Sequence, residues 1–253
     1  MEIEFLGTGT STGIPQIGCN CPVCKSTDAH DKRLRTSAII HADDGKEILI
    51  DCGPDFRQQI LHARYHNPCA LLVTHSHYDH VGGIDDLRPF CAHGKFPIYA
   101  REDVLNDIRT RLPYCFVQHP YPGVPSFDMI PIDKAPFHIG TTCIEPLHIW
   151  HYKLLISGFK INDRAAYITD AKHIDNEVIQ QLKGIPTLII NALRISEHIS
   201  HMSLSQALEV IERIAPARTY LIHMSHDMGL EREAAKMLPH TVNFAHDGLV
   251  ITI

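Results

Sequence analysis

Four potential metal ligands fall within six residues in the segment Thr74-His75-Ser76-His77-Tyr78-Asp79-His80. Imidazole and carboxylate donors together suit zinc, manganese or iron. A cluster this dense can also serve two adjacent ions, which clamp the attacking and leaving oxygens of a displacement. As a mere solvated turn, three histidines and an aspartate at this spacing would repel one another uncompensated. A second constellation is Cys19-Asn20-Cys21-Pro22-Val23-Cys24. Three thiolates this close form most of a tetrahedral zinc site, and structural zinc is enclosed by Cys and His. His226, three residues after His223 in His-Met-Ser-His, is the best candidate for the fourth ligand. Left unliganded, thiols packed this tightly would oxidise readily.

Other residues carry weaker signals. Asp170 and His223 each follow an apolar run, so each is expected at a strand end. The two oxygens of a carboxylate can bridge cations that imidazoles alone would leave repelling. His148 and His151 compete for one further histidine role, and His198 and His201 for another just before Ser203. The loop Gly7-Thr-Gly-Thr-Ser-Thr-Gly-Ile-Pro15 has two readings: amides that receive an anion, or a turn that needs glycine dihedrals. The five scattered cysteines, Cys52, Cys69, Cys91, Cys115 and Cys143, read as small buried hydrophobes.

The run His75-x-His77-x-Asp79-His80 resembles the signature of the metallo-β-lactamase fold, a four-layer αββα sandwich of the α/β class with its metal site at one edge. The later residues recur in that family's order. The resemblance implies that Asp51 braces the ligand loop, and that His151 rather than His148 is the next ligand. It further implies that Asp170 bridges two ions and His223 completes the set. One ion would then take His75, His77, His151 and Asp170, the other Asp79, His80, Asp170 and His223. The pairing of a Cys-x-Cys-x2-Cys loop with a late His-x-x-His is similar to the phosphonate-operon cyclic phosphodiesterase branch of the carbon–phosphorus lyase pathway. That likeness implies two divalent catalytic ions (Mn, Zn or Fe), one structural zinc held by Cys19, Cys21, Cys24 and His226, and a small phosphodiester substrate. It gives catalytic roles to Asp79 and to His201, the latter at the leaving oxygen. Three alternatives stand beside it: a tRNA 3′ endonuclease, which would need a protruding arm; a thioester hydrolase, which would carry a C-terminal substrate domain; and a non-catalytic zinc-binding adaptor, which has no use for Asp170 and the His75–His80 cluster together.

Strands must end at one edge to bring these groups together. Short apolar, β-branched runs recur throughout, among them EIEFLG, TSAIIH, EILIDCG, ALLVTH, FPIYA, LLISGFKI, AAYITD, TLIINAL, TYLIHMS and VNFAHDGLVITI. Helices are expected at Arg101–Arg111, Asp175–Leu182, Ser203–Ile214 and Leu230–Leu238, the third capped by Ser203 with Gln206 in a capping box. The Pro-rich stretch His119–Pro136 reads as loop. The pattern is that of a mixed α/β domain covering residues 1–253, and 44% hydrophobic residues in 253 suffice for a sizeable core. With 29 acidic against 23 basic residues, the net charge of −6 argues against a nucleic-acid binder. Mean hydropathy of −0.08 and the lack of a long apolar run or leader-like start argue against a membrane or secreted protein. A cytoplasmic location is expected, with a homodimer plausible on base rates.

Overall fold

Successive side chains on a strand face opposite sides, so a run that is apolar at every position needs cover on both. In this computed structural model, which describes all residues except 93 and 120, that requirement is met by stacking two sheets. The strands are β1 (Glu2–Gly7), β2 (Ser37–His41), β3 (Glu47–Ile50), β4 (Ala70–Leu72), β5 (Phe96–Ala100), β6 (Phe127–Pro131), β7 (Phe137–Ile139), β8 (Thr142–His151), β9 (Leu154–Ile161), β10 (Ala165–Ile168), β11 (Thr187–Asn191), β12 (Arg218–Ile222), β13 (Val242–Phe244) and β14 (Val250–Thr252). The helices are α1 (Pro22–Lys25), α2 (Phe56–His62), α3 (Tyr78–Val81), α4 (Glu102–Arg111), α5 (Asn176–Gln181), α6 (Leu204–Ile214) and α7 (Glu231–Ala234).

One sheet has the order β14-β1-β2-β3-β4-β5-β6, the other β13-β12-β11-β10-β9-β8-β7. Ile40, Ile48, Ile50 and Leu72 of the first pack against Ile144, Phe159, Tyr167 and Ile189 of the second. Their strand neighbours Ile39, Leu49 and Leu71 face outward, onto Phe56 of α2 and Val104, Leu105 and Ile108 of α4. On the far side, Ile168, Leu188 and Ile190 meet Val178 and Ile179 of α5 and Ala207 and Ile211 of α6. Three apolar seams thus separate four layers, αββα.

Topology decides where chemistry can sit. Strands β3 to β6 pair parallel, as do β10 to β13. Strand β8 shares the direction of β10, because both pair antiparallel to β9. The carboxyl ends of β3, β4, β8, β10, β11 and β12 therefore open on one edge.

Several expectations need correction. The stretch His119–Pro136 contains β6, which pairs parallel with β5 along its whole length although it ends on Pro131; residue 120 of the stretch lies outside the described residues. The last run is two strands in different sheets, separated by a turn with Gly248 at φ 81°. The helix expected at Leu230–Leu238 is α-helical only over Glu231–Ala234 and tightens into a 3₁₀ turn to Met237. Of the five scattered cysteines Cys52 is buried, Cys69 is exposed, and the other three are half-buried.

Candidate metal centre

Most site residues sit at or just beyond a strand end. Asp51 follows β3, Asp170 follows β10 and His223 follows β12, with φ of 58°, 56° and 58°. Non-glycine residues rarely adopt this left-handed region, and the strain is tolerated where surrounding bonds over-determine it. Asp51 is held in that way. Its Oδ1 accepts from the Thr74 amide at 2.8 Å, and its Oδ2 from the Thr74 hydroxyl at 2.8 Å and His80 Nδ1 at 2.7 Å. The loop after β4 is seated by close approach as well. Cys52 N–H donates to His80 O, Gly83 N–H donates to Cys52 O, and a Cβ on Gly53 would lie 2.1 Å from Asp79 O.

Hydrogen bonding also fixes which imidazole nitrogens remain free. The Thr74 hydroxyl spends its proton on Asp51, so at 3.0 Å it accepts from His75 Nδ1. Likewise the Thr36 hydroxyl donates to Gly9 O and accepts from His223 Nδ1 at 3.2 Å. His151, the last residue of β8, donates from Nδ1 to Ser200 O at 2.8 Å. In His75, His80, His151 and His223 alike, Nδ1 is the donor and the Nε2 lone pair is left over. This second-layer bonding is what ligating histidines require.

Those lone pairs converge. His75 Nε2 lies 3.0 Å from His77 Nδ1, and one ligand atom each from His75, His77 and His151 falls within 4.8 Å of the others. Asp79, His80, Asp170 and His223 form a second such group, and His151, Asp170 and His201 a third. Asp170 Oδ1 is 3.1 Å from His223 Nε2 and 3.6 Å from His201 Nδ1, while Oδ2 is 3.3 Å from His80 Nε2. His80 Nε2 and His201 Nδ1 are buried without a hydrogen-bond partner. Buried polar atoms are nearly always paired, so these two orphans and the donor set around them fit divalent cations.

The electrostatics point the same way. Burial alone would push the Asp170 carboxyl up, but His223, His80 and His75 draw it well below its usual range. Burial depresses His75, and His80 depresses it further. His80 goes the other way: Asp170, Asp51 and Asp79 outweigh its burial and raise it well above the histidine range, so that without a cation its Nε2 holds a proton, which a bound cation would replace. Burial, despite Asp170 beside it, pulls His201 down to about 3, so its ring is neutral at pH 7.

The three cysteines and His226 come together. His226 Nδ1 lies 3.2, 3.5 and 3.3 Å from the sulfurs of Cys19, Cys21 and Cys24. Zinc bonds of about 2.3 Å to sulfur and 2.0–2.1 Å to nitrogen put tetrahedral ligands roughly 3.5 Å apart. The Cys24 amide, donating to the Cys21 sulfur, lowers that thiol to about 7, whereas burial raises Cys24 to about 11. A thiol raised so far needs a cation to become a thiolate.

The rival histidines separate. His148 and His151 are three apart on β8, an odd spacing, so they face opposite ways; His148 pairs with Asp133 at 2.9 Å and is no neighbour of the cluster. The buried His201 ring lies 4.6 Å from that of His151, whereas His198 lies outside all three ligand groups. In the glycine loop, the amides of Gly9, Thr10, Gly13 and Ile14 bond to Leu34, Met224, Thr10 and Arg33 carbonyls. Those amides are not free for an anion; Gly7 is there for packing, since its Cβ would lie 2.0 Å from Arg35 O, and Gly13, at φ 63°, answers the reading of a turn that needs a glycine dihedral. Sequence reasoning missed Thr10, Thr36 and Asn191. Thr10 Oγ1 is 3.2 Å from His223 Nε2, and the Asn191 amide clamps both backbone groups of Ala171, next to Asp170. A polar residue closing an apolar run was the available signal for Asn191; the threonines had none.

Residues 46–224 match the family described as the β-lactamase superfamily domain. The chain belongs to the β-lactamase superfamily. A crystal structure of a diphosphatase from the PhnP family superimposes with a TM-score of 0.92 at 33% identity, covering 100% of this chain and 97% of that one. Zinc-bound PqqB from Methylobacterium extorquens matches with a TM-score of 0.82 at 18% identity over the whole of both chains, a likeness of fold. An octanoyltransferase of Porphyromonas gingivalis is 47% identical over 251 residues, 98% of this chain but 51% of that protein. The chain thus spans about half the length of that relative. Fold and ligand-rich edge together make the chain a member of the metallo-β-lactamase fold whose gathered side chains could hold metal ions.

Proposed function

We propose that the chain is a two-ion phosphodiesterase acting on a small, cyclic or linear phosphodiester. The observation that carries this reading is the full-length likeness to the PhnP-family diphosphatase in a chain that gathers both ligand clusters. His75, His77, His151 and Asp170 would hold one ion; Asp79, His80, Asp170 and His223 would hold the other. Cys19, Cys21, Cys24 and His226 would hold a structural zinc. When bound, the paired ions supply Lewis acidity and bring water's pKa towards neutrality.

The rest falls to side chains. Asp51 and Thr74 keep His75 and His80 in one tautomer, and Ser200 O does the same for His151. Asp79, on the first turn of α3, faces His80 Nε2 at 3.2 Å and would contribute its charge to the ion held with His80. His201, neutral through burial, still carries one N–H to donate to a developing alkoxide, the group that most needs help in leaving. Nothing in this role requires Arg-rich or basic surface, which suits a net charge of −6.

The octanoyltransferase relative favours a second reading, hydrolysis of an acyl thioester, since that protein by its name handles an acyl group and shares half its length with this chain. Phosphodiester, phosphomonoester, acyl thioester and lactam substrates offered with Mn, Zn and Fe in turn separate the two. Turnover of the diesters supports the proposal; turnover of the thioester alone replaces it.

A further inference from the structure

The loop that carries His201 is stapled from within by one cation. Its ends are tied by Leu193 N–H to Met202 O and Leu204 N–H to Arg194 O. Between them the backbone makes a non-helical excursion past the exposed Ile195 and Ile199, with no strand partner to set its shape. Lys172 reaches into this excursion. Its ammonium donates to His198 O at 2.7 Å, His201 O at 3.4 Å and Gln206 Oε1 at 3.0 Å. An ammonium has three protons, and each has an acceptor here. Gln206 Oε1 is also the acceptor of the Ser203 amide in the α6 capping box, so one carboxamide oxygen joins the lysine to the helix start.

Lys172 lies two residues beyond Asp170, and Ala171 between them is clamped by Asn191 while its carbonyl accepts from Met202 N–H. The chain segment bearing the shared carboxylate and the loop bearing His201 therefore meet at this amino group. We propose that Lys172 is a positioning residue: it fixes the His201 backbone relative to Asp170 and so sets where the His201 ring meets the leaving oxygen. This rests on the role given to His201 above. Ordinary charge-assisted bonds to carbonyls suffice for it, and no change of charge on Lys172 is involved.

The test compares two substrates. For 2′,3′-cyclic AMP the leaving group is a basic alkoxide; for bis(4-nitrophenyl) phosphate it departs unaided. Lys172→Met should keep its metal content and lose roughly 10- to 100-fold in kcat on the cyclic ester, the cost of misplacing a reacting group by about an ångström. Its kcat on the nitrophenyl ester should hardly change. Added to His201→Ala, the same substitution should cause no further loss, because the lysine acts only through that ring. In metal-free protein, amides of residues 195–201 should exchange hydrogen faster in Lys172→Met, while those of α6 stay protected. Should Lys172→Met not fold, Lys172→Gln, which keeps two donors, carries the same comparison with a smaller loss of the same selectivity. Equal losses on both substrates, an additive loss in the double variant, or unchanged exchange in the loop would overturn the proposal. The control is His201→Ala itself: if that variant loses nothing on the cyclic ester, it is the role of His201 that fails.

Discussion

At the scale of single residues, the site is governed by carboxylates in places where water would not leave them. Asp170 is 1% exposed and touches three histidines. Asp170→Ala removes the carboxylate offered to both ions and should cut hydrolysis roughly 100-fold or more, with loss of the paired ions but not of the cysteine-bound zinc. Metal analysis with a turnover assay checks this; full activity in the variant would take Asp170 out of the reaction. A different buried acid, Asp247, shapes stability. Burial raises it to about 6 from 3.8, against the pull of the Leu34 amide and Thr8 hydroxyl that donate to it. Between these values the folded chain holds a proton that the unfolded chain has released. Its contribution is therefore complete below about pH 4 and lost as pH rises through about 6, a change of order 3 kcal/mol. Asp247→Asn cannot titrate, so its stability relative to the parent should climb across that window and level off above it. Denaturant melts of both proteins at pH 4, 5, 6 and 7 measure the difference, and a pH-independent offset would refute it.

At the scale of elements, the cysteine loop and the catalytic edge share one short segment. His223 and His226 are both on the stretch that leaves β12, and Met224 between them is bonded to Thr8 and Thr10. Cys21→Ser should lose one zinc and melt at a lower temperature, because zinc binding is coupled to folding; activity should fall less than in Asp170→Ala. An unchanged metal content and melting temperature would end the zinc assignment. This level of organisation was also the one most legible from the amino acids. Runs such as ALLVTH and AAYITD declare a strand and the ligand at its end together, and Ser203 with Gln206 declares a helix start that forms with both cap bonds present. Strand β8 was hidden, because Glu145, Pro146 and His148 interrupt its apolar alternation, although Pro146 is buried and the other two are half-buried. Helix α2 went unread, and the Asp55 before it caps nothing, because its carboxylate is taken up by Arg35. The partners that orient the histidines were out of reach for another reason: Thr36, Ser200 and Lys172 are ordinary residue types whose roles arise only once distant strands are brought together.

At the scale of the whole molecule, two stacked sheets bring the ends of six strands to one edge, and both metal clusters are assembled from residues far apart in the chain. Cys19 and His226, for example, are separated by 207 positions. Such sites cannot form before the sheets close on each other, so ion binding and the final fold support one another. Among the described residues no helix is long and apolar enough to cross a membrane. The proposed chemistry requires two ions acting together on a phosphodiester. Mn titrated into protein stripped of its catalytic ions, at protein concentrations above the dissociation constant, should raise bis(4-nitrophenyl) phosphate hydrolysis to a plateau at about two equivalents per chain. A plateau at one equivalent, or no hydrolysis at any ratio, would contradict it.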